Sequence, residues 1–153
     1  MKSAWKNQWS VGNAIIDSEH RNLLDMAYNL GSIIRKGDIS AISQELEQLE
    51  NWLCEHFKNE EDIALSVGFD FTRHGLEHQN LLKEFQLMKD GLMFYCDMPH
   101  DATVKQYFKF LDEWLISHIL NEDILMKPTL QTHSYGFMPG HKTKSEIPLL
   151  AKT

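Results

Sequence analysis

Histidine is the residue type in this sequence that most strongly indicates chemistry. The chain has 153 residues and eight histidines, and five of them fall on helical faces that are otherwise apolar. One buried histidine is more often structural than metal-bound, but a group of ionisable side chains is costly to bury unless its members pair or bind a metal. Because neutral imidazole is the commonest ligand for transition metals, the group indicates a metal site. The five are His20, His56, His74, His78 and His118.

Carboxylates accompany two of these histidines. Glu60 follows His56 by four residues, so both side chains point to one face of a helix. After His118 two acids compete: Glu122 lies about 40° away around an ideal helix and Asp123 about 140° away. Periodicity alone favours Glu122. Five imidazoles and two carboxylates exceed the needs of one tetrahedral zinc, and they suit two iron ions of higher coordination number with solvent-derived oxygen between them.

Other kinds of active site are weakly represented in the sequence. It contains no GxSxG nucleophile elbow and no glycine-rich phosphate loop. It also lacks the Glu-x-x-His pairs that the carboxylate-dominated di-iron bundles use. Histidine dominates the candidate ligands, which favours a histidine-rich centre with two metal ions.

Four segments show helical periodicity, at about residues 18–36, 40–66, 71–95 and 101–127. Proline is absent before Pro99, so the first three segments can be long helices, and Gly37 is expected to cap the first. The short connections join antiparallel neighbours. We therefore predict an all-α, up-down-up-down four-helix bundle. The predicted inward face of the fourth segment consists of Val104, Phe108, Leu111, Leu115, His118, Glu122 and Leu125.

Chain direction brings the polar groups to one end of this bundle. His20 lies near the start of the first helix, and His56 lies near the end of the second. The start of the third helix holds His74 and His78, and the end of the fourth holds His118. In an alternating path these four places lie at the same level.

The helical segments define one domain. Residues 1–127 form the bundle, of which the first 17 residues are an N-terminal arm. Residues 128–153 contain three of the four prolines and form an irregular C-terminal extension, which we expect to pack on the bundle.

Composition limits the environment and the partners. The net charge of −7 argues against non-specific binding of nucleic acid. No apolar run is long enough to span a membrane, and the N-terminus has no secretory signal. Two cysteines do not form a disulfide framework, which favours a reducing cytoplasm. Cys54 is expected to be a small buried hydrophobe beside the core stripe.

Four motifs resemble the hemerythrin family, especially its bacterial single-domain members. They are VGNAIIDSEH at 11–20, HFKNEE at 56–61, HGLEH at 74–78 and WLISHILNED at 114–123. The resemblance extends from about residue 9 to residue 126, with the motifs in order and at compatible intervals. Glu19 departs from the glutamine that many relatives carry and lies beside His20, where it could tune the iron.

The resemblance implies a non-haem centre of two iron ions with a bridging oxo or hydroxo group, at which dioxygen binds reversibly. It implies that His74, His78 and His118 hold one iron, that His20 and His56 hold the other with a vacant position, and that Glu60 and Asp123 bridge both. The residues that match positions around the oxygen pocket are Leu24, Phe57, Trp114, Leu115 and Ile119.

The resemblance favours Asp123 over Glu122, which conflicts with an ideal helix. A widened, π-type turn after His118 would reconcile the two, because such turns occur often at functional sites. Pro128 could loosen the same end of the helix. Glu122 would then point outward or toward another helix.

The function expected from these features is oxygen carriage, storage, delivery or sensing, without catalytic turnover. One alternative is a di-iron enzyme that acts on peroxide or nitric oxide. Another is a sensor module that signals through a protein partner bound by the C-terminal extension. The sequence leaves these alternatives open.

Overall fold

The fold is a four-helix bundle, seen in a computed structural model that describes residues 5–94 and 100–140. The first three helices are α1 (Ala14–Lys36), α2 (Ile39–Ser66) and α3 (Thr72–Phe94). The fourth helix is interrupted. It consists of α4 (His100–Leu111), a π-helical segment (Asp112–Ile116), α5 (Ser117–Asn121), a 3-10 turn (Asp123–Met126) and α6 (Lys127–Leu130). No strand occurs within the described residues. The predicted all-α four-helix bundle is confirmed.

Local sequence explains where the first two helices begin and end. The side chain of Asn13 accepts hydrogen bonds from the backbone N–H groups of Ile15 and Ile16, so α1 starts earlier than its apolar face predicts. Gly37 ends α1 with φ of 71°, a left-handed conformation that glycine adopts without a steric penalty. Asp38 then caps α2 by accepting from Ala41 N. The cap predicted at Gly37 is therefore confirmed.

The apolar core has two parts along the bundle. The larger part fills most of its length and contains Leu23, Leu53, Leu81 and Ile119 among many others. The smaller part lies at one end and consists of Val11, Ile16, Ile63, Ala64, Phe71, Met126 and Leu130. Along each helix the polar residues singled out in the sequence lie where these two parts meet.

The arm and the tail pack together at the end that carries the smaller apolar cluster. The Asp17 carboxylate is fully buried and accepts hydrogen bonds from Ser10 Oγ, Val11 N and Tyr135 Oη. Asn13 Nδ2 donates to the backbone oxygen of Phe137 at 3.0 Å. These contacts attach residues 131–140, which form turns, to the start of α1.

Two details of the sequence prediction are wrong. Cys54 is exposed rather than buried, although partial shielding from water and nearby Glu50 raise the pKa of its thiol. Leu125, predicted to face inward, is 54% exposed, and Met126 is buried in its place. Cys96 lies outside the described residues.

In the described ranges, no helix combines the length and apolar character needed to cross a bilayer.

Candidate metal centre

The structure brings all seven predicted metal ligands together in one buried layer. The described residues include nine buried polar or charged side chains, and seven of them are the predicted ligands. The other two, Asn13 and Asp17, serve the packing of the arm and the tail. The seven are His20 on α1, His56 and Glu60 on α2, His74 and His78 on α3, His118 on α5 and Asp123 on the 3-10 turn.

The seven side chains form two donor groups that share both carboxylates. One group contains His74, His78 and His118, and the other contains His20 and His56. Glu60 and Asp123 belong to both, and within each group the ligand atoms lie within 4.8 Å of one another.

Each shared carboxylate directs one oxygen to each group. Glu60 Oε1 is 2.7 Å from His74 Nε2, while its Oε2 is 3.1 Å from His56 Nε2. Asp123 Oδ1 is 2.8 Å from His118 Nε2, while its Oδ2 is 3.1 Å from His20 Nε2. This is the arrangement that a carboxylate needs in order to bridge two ions.

The spacing and chemistry of the donors fit metal ions. Two ligands at right angles on one ion, each about 2.1 Å from it, are about 3.0 Å apart. Nε2 of His78 is 3.1 Å from that of His74 and 3.2 Å from that of His118. All four carboxylate oxygens of Glu60 and Asp123 are buried without a hydrogen-bond partner. Because such oxygens are costly to bury, cations are the partners that would compensate them.

Charge in the metal-free chain supports the same conclusion. Burial lowers the pKa of His56, but the carboxylates of Glu19 and Glu60 beside its ring outweigh burial and raise that pKa to about 10. Burial likewise opposes protonation of His74, whose contacts with Asp123 and Glu60 raise its pKa to about 9. Burial dominates at His78 and lowers its pKa. Protons on imidazoles thus balance the two carboxylates, and bound cations would supply that positive charge instead.

An interruption of the fourth helix brings Asp123 into the centre. Glu122 has φ of −108° and ψ of −57°, whereas helical φ is about −63°. Leu125 N donates to Glu122 O, one residue short of α-helical spacing. The turn that carries Asp123 is therefore tightened, and the π-helical segment lies before His118. The prediction of a widened turn after His118 is wrong in its position.

Glu122 points away from the metal layer, as expected. Its side chain is 25% exposed and forms an ion pair with Arg73 at the start of α3. The side chain of Asp123 is 1% exposed.

Aromatic rings pack against the imidazoles. The Phe57 ring stacks on His78 with centroids 3.8 Å apart and planes 11° apart. Phe71 stacks on His74 at 4.8 Å, and Trp5 lies 6.2 Å from His20 between ring centroids. Sequence reasoning identified Phe57 and missed the other two. The position of Phe71, three residues before His74, could have indicated its role.

The five residues predicted to surround oxygen are all buried in the larger apolar cluster. Trp114 uses its indole N–H to donate to Leu81 O at 3.0 Å. The five are Leu24, Phe57, Trp114, Leu115 and Ile119.

Comparison with known proteins identifies relatives of this chain. The family model described as hemerythrin HHE cation binding domain matches residues 11–130. A bacteriohemerythrin of Methylococcus capsulatus is 30% identical, over 74% of this chain and 85% of that protein. A bacteriohemerythrin of Clostridium acetobutylicum is 29% identical, over 78% and 94%. A hemerythrin-like protein of Naegleria gruberi is 27% identical, over 82% and 92%. No solved structure matches the chain.

The family match extends from the arm through the last helical residue and contains all seven side chains of the buried polar layer. These observations show that the chain belongs to the hemerythrin family.

Proposed function

We propose that this protein binds dioxygen reversibly at two iron ions, for oxygen carriage, storage, delivery or sensing, and without catalytic turnover. Iron, when bound, would supply the change of oxidation state that dioxygen binding requires. The protein would hold the ions, orient their ligands and exclude water. The proposed ligands are His20, His56, Glu60, His74, His78, His118 and Asp123.

The observation that carries this proposal is the sharing of two carboxylates between two groups of imidazoles. A mononuclear site would not need Glu60 to direct its two oxygens at different histidines, 2.7 Å and 3.1 Å away. Two ions beside each other also account for the burial of both acids. An oxo or hydroxo bridge belongs to the same proposal.

The two groups differ in a way that suits a small ligand. One group offers three imidazoles and two carboxylate oxygens, and the other offers two imidazoles and two carboxylate oxygens. The second group therefore has one protein donor fewer. The His20 and His56 side is where we propose that a coordination position is available to dioxygen.

The surroundings favour binding over chemistry on an organic substrate. The five proposed pocket residues are apolar or aromatic and are buried. The single N–H group among their side chains, on Trp114, already donates to Leu81 O. Such a pocket would admit an apolar diatomic molecule and would offer no side chain to protonate it.

Dioxygen binding is tested by reducing the iron-loaded protein, exposing it to air and following the visible spectrum. We expect a persistent oxygenated species that reverts under argon. Sustained consumption of peroxide or nitric oxide, or immediate oxidation without a stable adduct, would favour a di-iron enzyme instead. A protein partner retained through residues 128–153 would favour a sensor.

Metal content provides the matched control. We expect His78→Ala to lose iron and His133→Ala to retain it, because His133 is exposed in the tail and contacts Thr132 and Phe137. Equal iron content in both variants would contradict the proposed ligand set. Within this proposal the protein works in the cytoplasm, where a reducing environment suits ferrous iron and the free thiol of Cys54.

A further inference from the structure

Glu19 lies next to His20 in the sequence, but its carboxylate turns toward α2. Glu19 Oε2 is 2.8 Å from His56 Nδ1. Asn59 Nδ2 donates to Glu19 Oε1 at 2.6 Å. The Glu19 side chain is 13% exposed, so it is largely removed from water. Two side chains of α2 thus fix one carboxylate of α1 directly behind a proposed iron ligand.

This contact distinguishes His56 from the other proposed imidazole ligands. In the part of the chain that the structure describes, no other ligand imidazole has its Nδ1 against a carboxylate. His20, the second imidazole of the same group, has a buried Nδ1 without a hydrogen-bond partner. The carboxylate therefore acts on one ligand in the group with fewer protein donors.

We propose that Glu19 is a positioning residue that accepts the Nδ1–H of His56 and strengthens its Nε2 as an iron donor. This inference rests on the proposed function. A hydrogen bond from Nδ1 to a carboxylate fixes the tautomer that leaves Nε2 free for a metal, sets the orientation of the ring and raises its basicity.

The expected consequence is a bias toward the oxidised metal. A more basic imidazole, with a negative charge behind it, stabilises ferric iron more than ferrous iron, so Glu19 lowers the reduction potential. Because dioxygen binding draws electrons from the metal, the same bias favours the oxygenated protein. Asn59 holds the second oxygen of the carboxylate, and its role is to keep Glu19 aligned with His56.

The test is the reduction potential of the iron-loaded Glu19→Gln variant, measured by optical titration. The substitution preserves the shape of the side chain and removes its charge. Loss of such an outer partner typically changes metal affinity by about 10-fold to 100-fold. A tenfold loss of affinity for ferric iron relative to ferrous iron raises the potential by about 59 mV for a one-electron couple. Asn59→Ala should shift the potential in the same direction by less.

Glu122→Gln is the matched control, because it removes a carboxylate charge next to Asp123 in the chain, and Glu122 pairs with Arg73 rather than with a ligand. A shift for Glu19→Gln no larger than that of Glu122→Gln would overturn the inference. Glu19→Asp, which keeps the charge, should restore part of the wild-type potential.

The experiment distinguishes failure of this inference from failure of the proposed function. If the wild-type protein holds two irons and binds dioxygen but Glu19→Gln has no specific effect on the potential, this inference alone is refuted. Failure of the wild type to hold two irons would refute the proposed function and this inference together.

Discussion

The second and fourth helices each contribute one imidazole and one carboxylate to the proposed metal centre, from different backbones. On α2, His56 and Glu60 are four residues apart in an uninterrupted helix of 28 residues. On the fourth helix, His118 and Asp123 are five residues apart, with a π-helical segment before them and a 3-10 turn at Asp123. Both pairs nevertheless place a carboxylate oxygen within 3.1 Å of Nε2 of the histidine on the same helix.

The difference shows how a one-residue change of register is absorbed. On α2 the buried positions continue from His56 through Glu60 to Ile63. On the fourth helix the buried face shifts by one residue after His118, so Asp123 and Met126 replace Glu122 and Leu125. The distorted backbone at Glu122 accommodates the shift. The position of a ligand therefore depends on the whole face of the helix, and ideal spacing alone does not determine it.

The largest effect in this comparison is expected from Asp123→Ala. The variant should hold at most one ion instead of two, because a donor shared by both groups is lost. A metal at about 1,000 times its Kd stabilises the folded state by about 4 kcal/mol, so loss of an ion should cost a comparable free energy. Metal analysis and thermal unfolding measure both quantities. Glu60→Ala should behave in the same way, and full retention of two ions by Asp123→Ala would refute the assignment.

Much of the fold could be predicted from the sequence, because apolar periodicity reports which face of each helix is buried. On α2 the residues that alternate spacings of four and three are all buried, and they are Ile42, Leu46, Leu49, Leu53, His56, Glu60 and Ile63. The antiparallel order then places the histidines at one end. Gly37, the one glycine between the first two helices, indicated the end of α1.

The parts that could not be predicted depend on contacts distant in sequence. Periodicity chose Glu122, and only the resemblance to a family favoured Asp123. The burial of Asp17 depends on Tyr135, 118 residues away. Glu19 could be singled out beside His20, but its contact with His56, 37 residues away, required the folded structure.

The next largest effect should come from Gly31→Ala. This substitution changes the packing against α4, the regular first half of the fourth helix, and leaves the interrupted second half unchanged. A Cβ atom at Gly31 of α1 would lie 2.3 Å from Phe108 Cζ of α4. Overpacking of this kind costs about 1–3 kcal/mol, and metal content should not change, because the contact involves no ligand. Gly91→Ala is the control: its Cβ would meet no atom within 4 Å, and it should stabilise α3 by up to about 1 kcal/mol. If Gly31→Ala and Gly91→Ala changed the Tm in the same direction, this account would be contradicted.

A smaller effect is expected from deletion of Asn121. The deletion reduces the spacing of His118 and Asp123 from five residues to four, which is the spacing of His56 and Glu60 on α2. The side chain of Asn121 is exposed and donates hydrogen bonds to Ser117, one turn earlier on the same helix. The deletion also returns Met126 to the regular face. We expect two ions to remain bound and the unfolding free energy to change by about 1 kcal/mol, which corresponds to a shift in Tm of about 2–4 °C. Loss of an ion would show that a regular helix with four-residue spacing cannot replace the distorted turn.

The smallest effect should come from Glu122→Ala, which removes the acid that an ideal helix would have directed inward. Its side chain is partly exposed and pairs with Arg73, whose side chain is 66% exposed. Exposed ion pairs of this kind contribute about 0–1 kcal/mol, and the pair involves no atom of either donor group. Metal analysis should therefore find two ions, and thermal unfolding should change little. If Glu122→Ala lost iron and Asp123→Ala retained it, Glu122 would be the ligand. The four-residue spacing of α2 would then apply to the fourth helix as well, and the interruption would not determine which acid binds the metal.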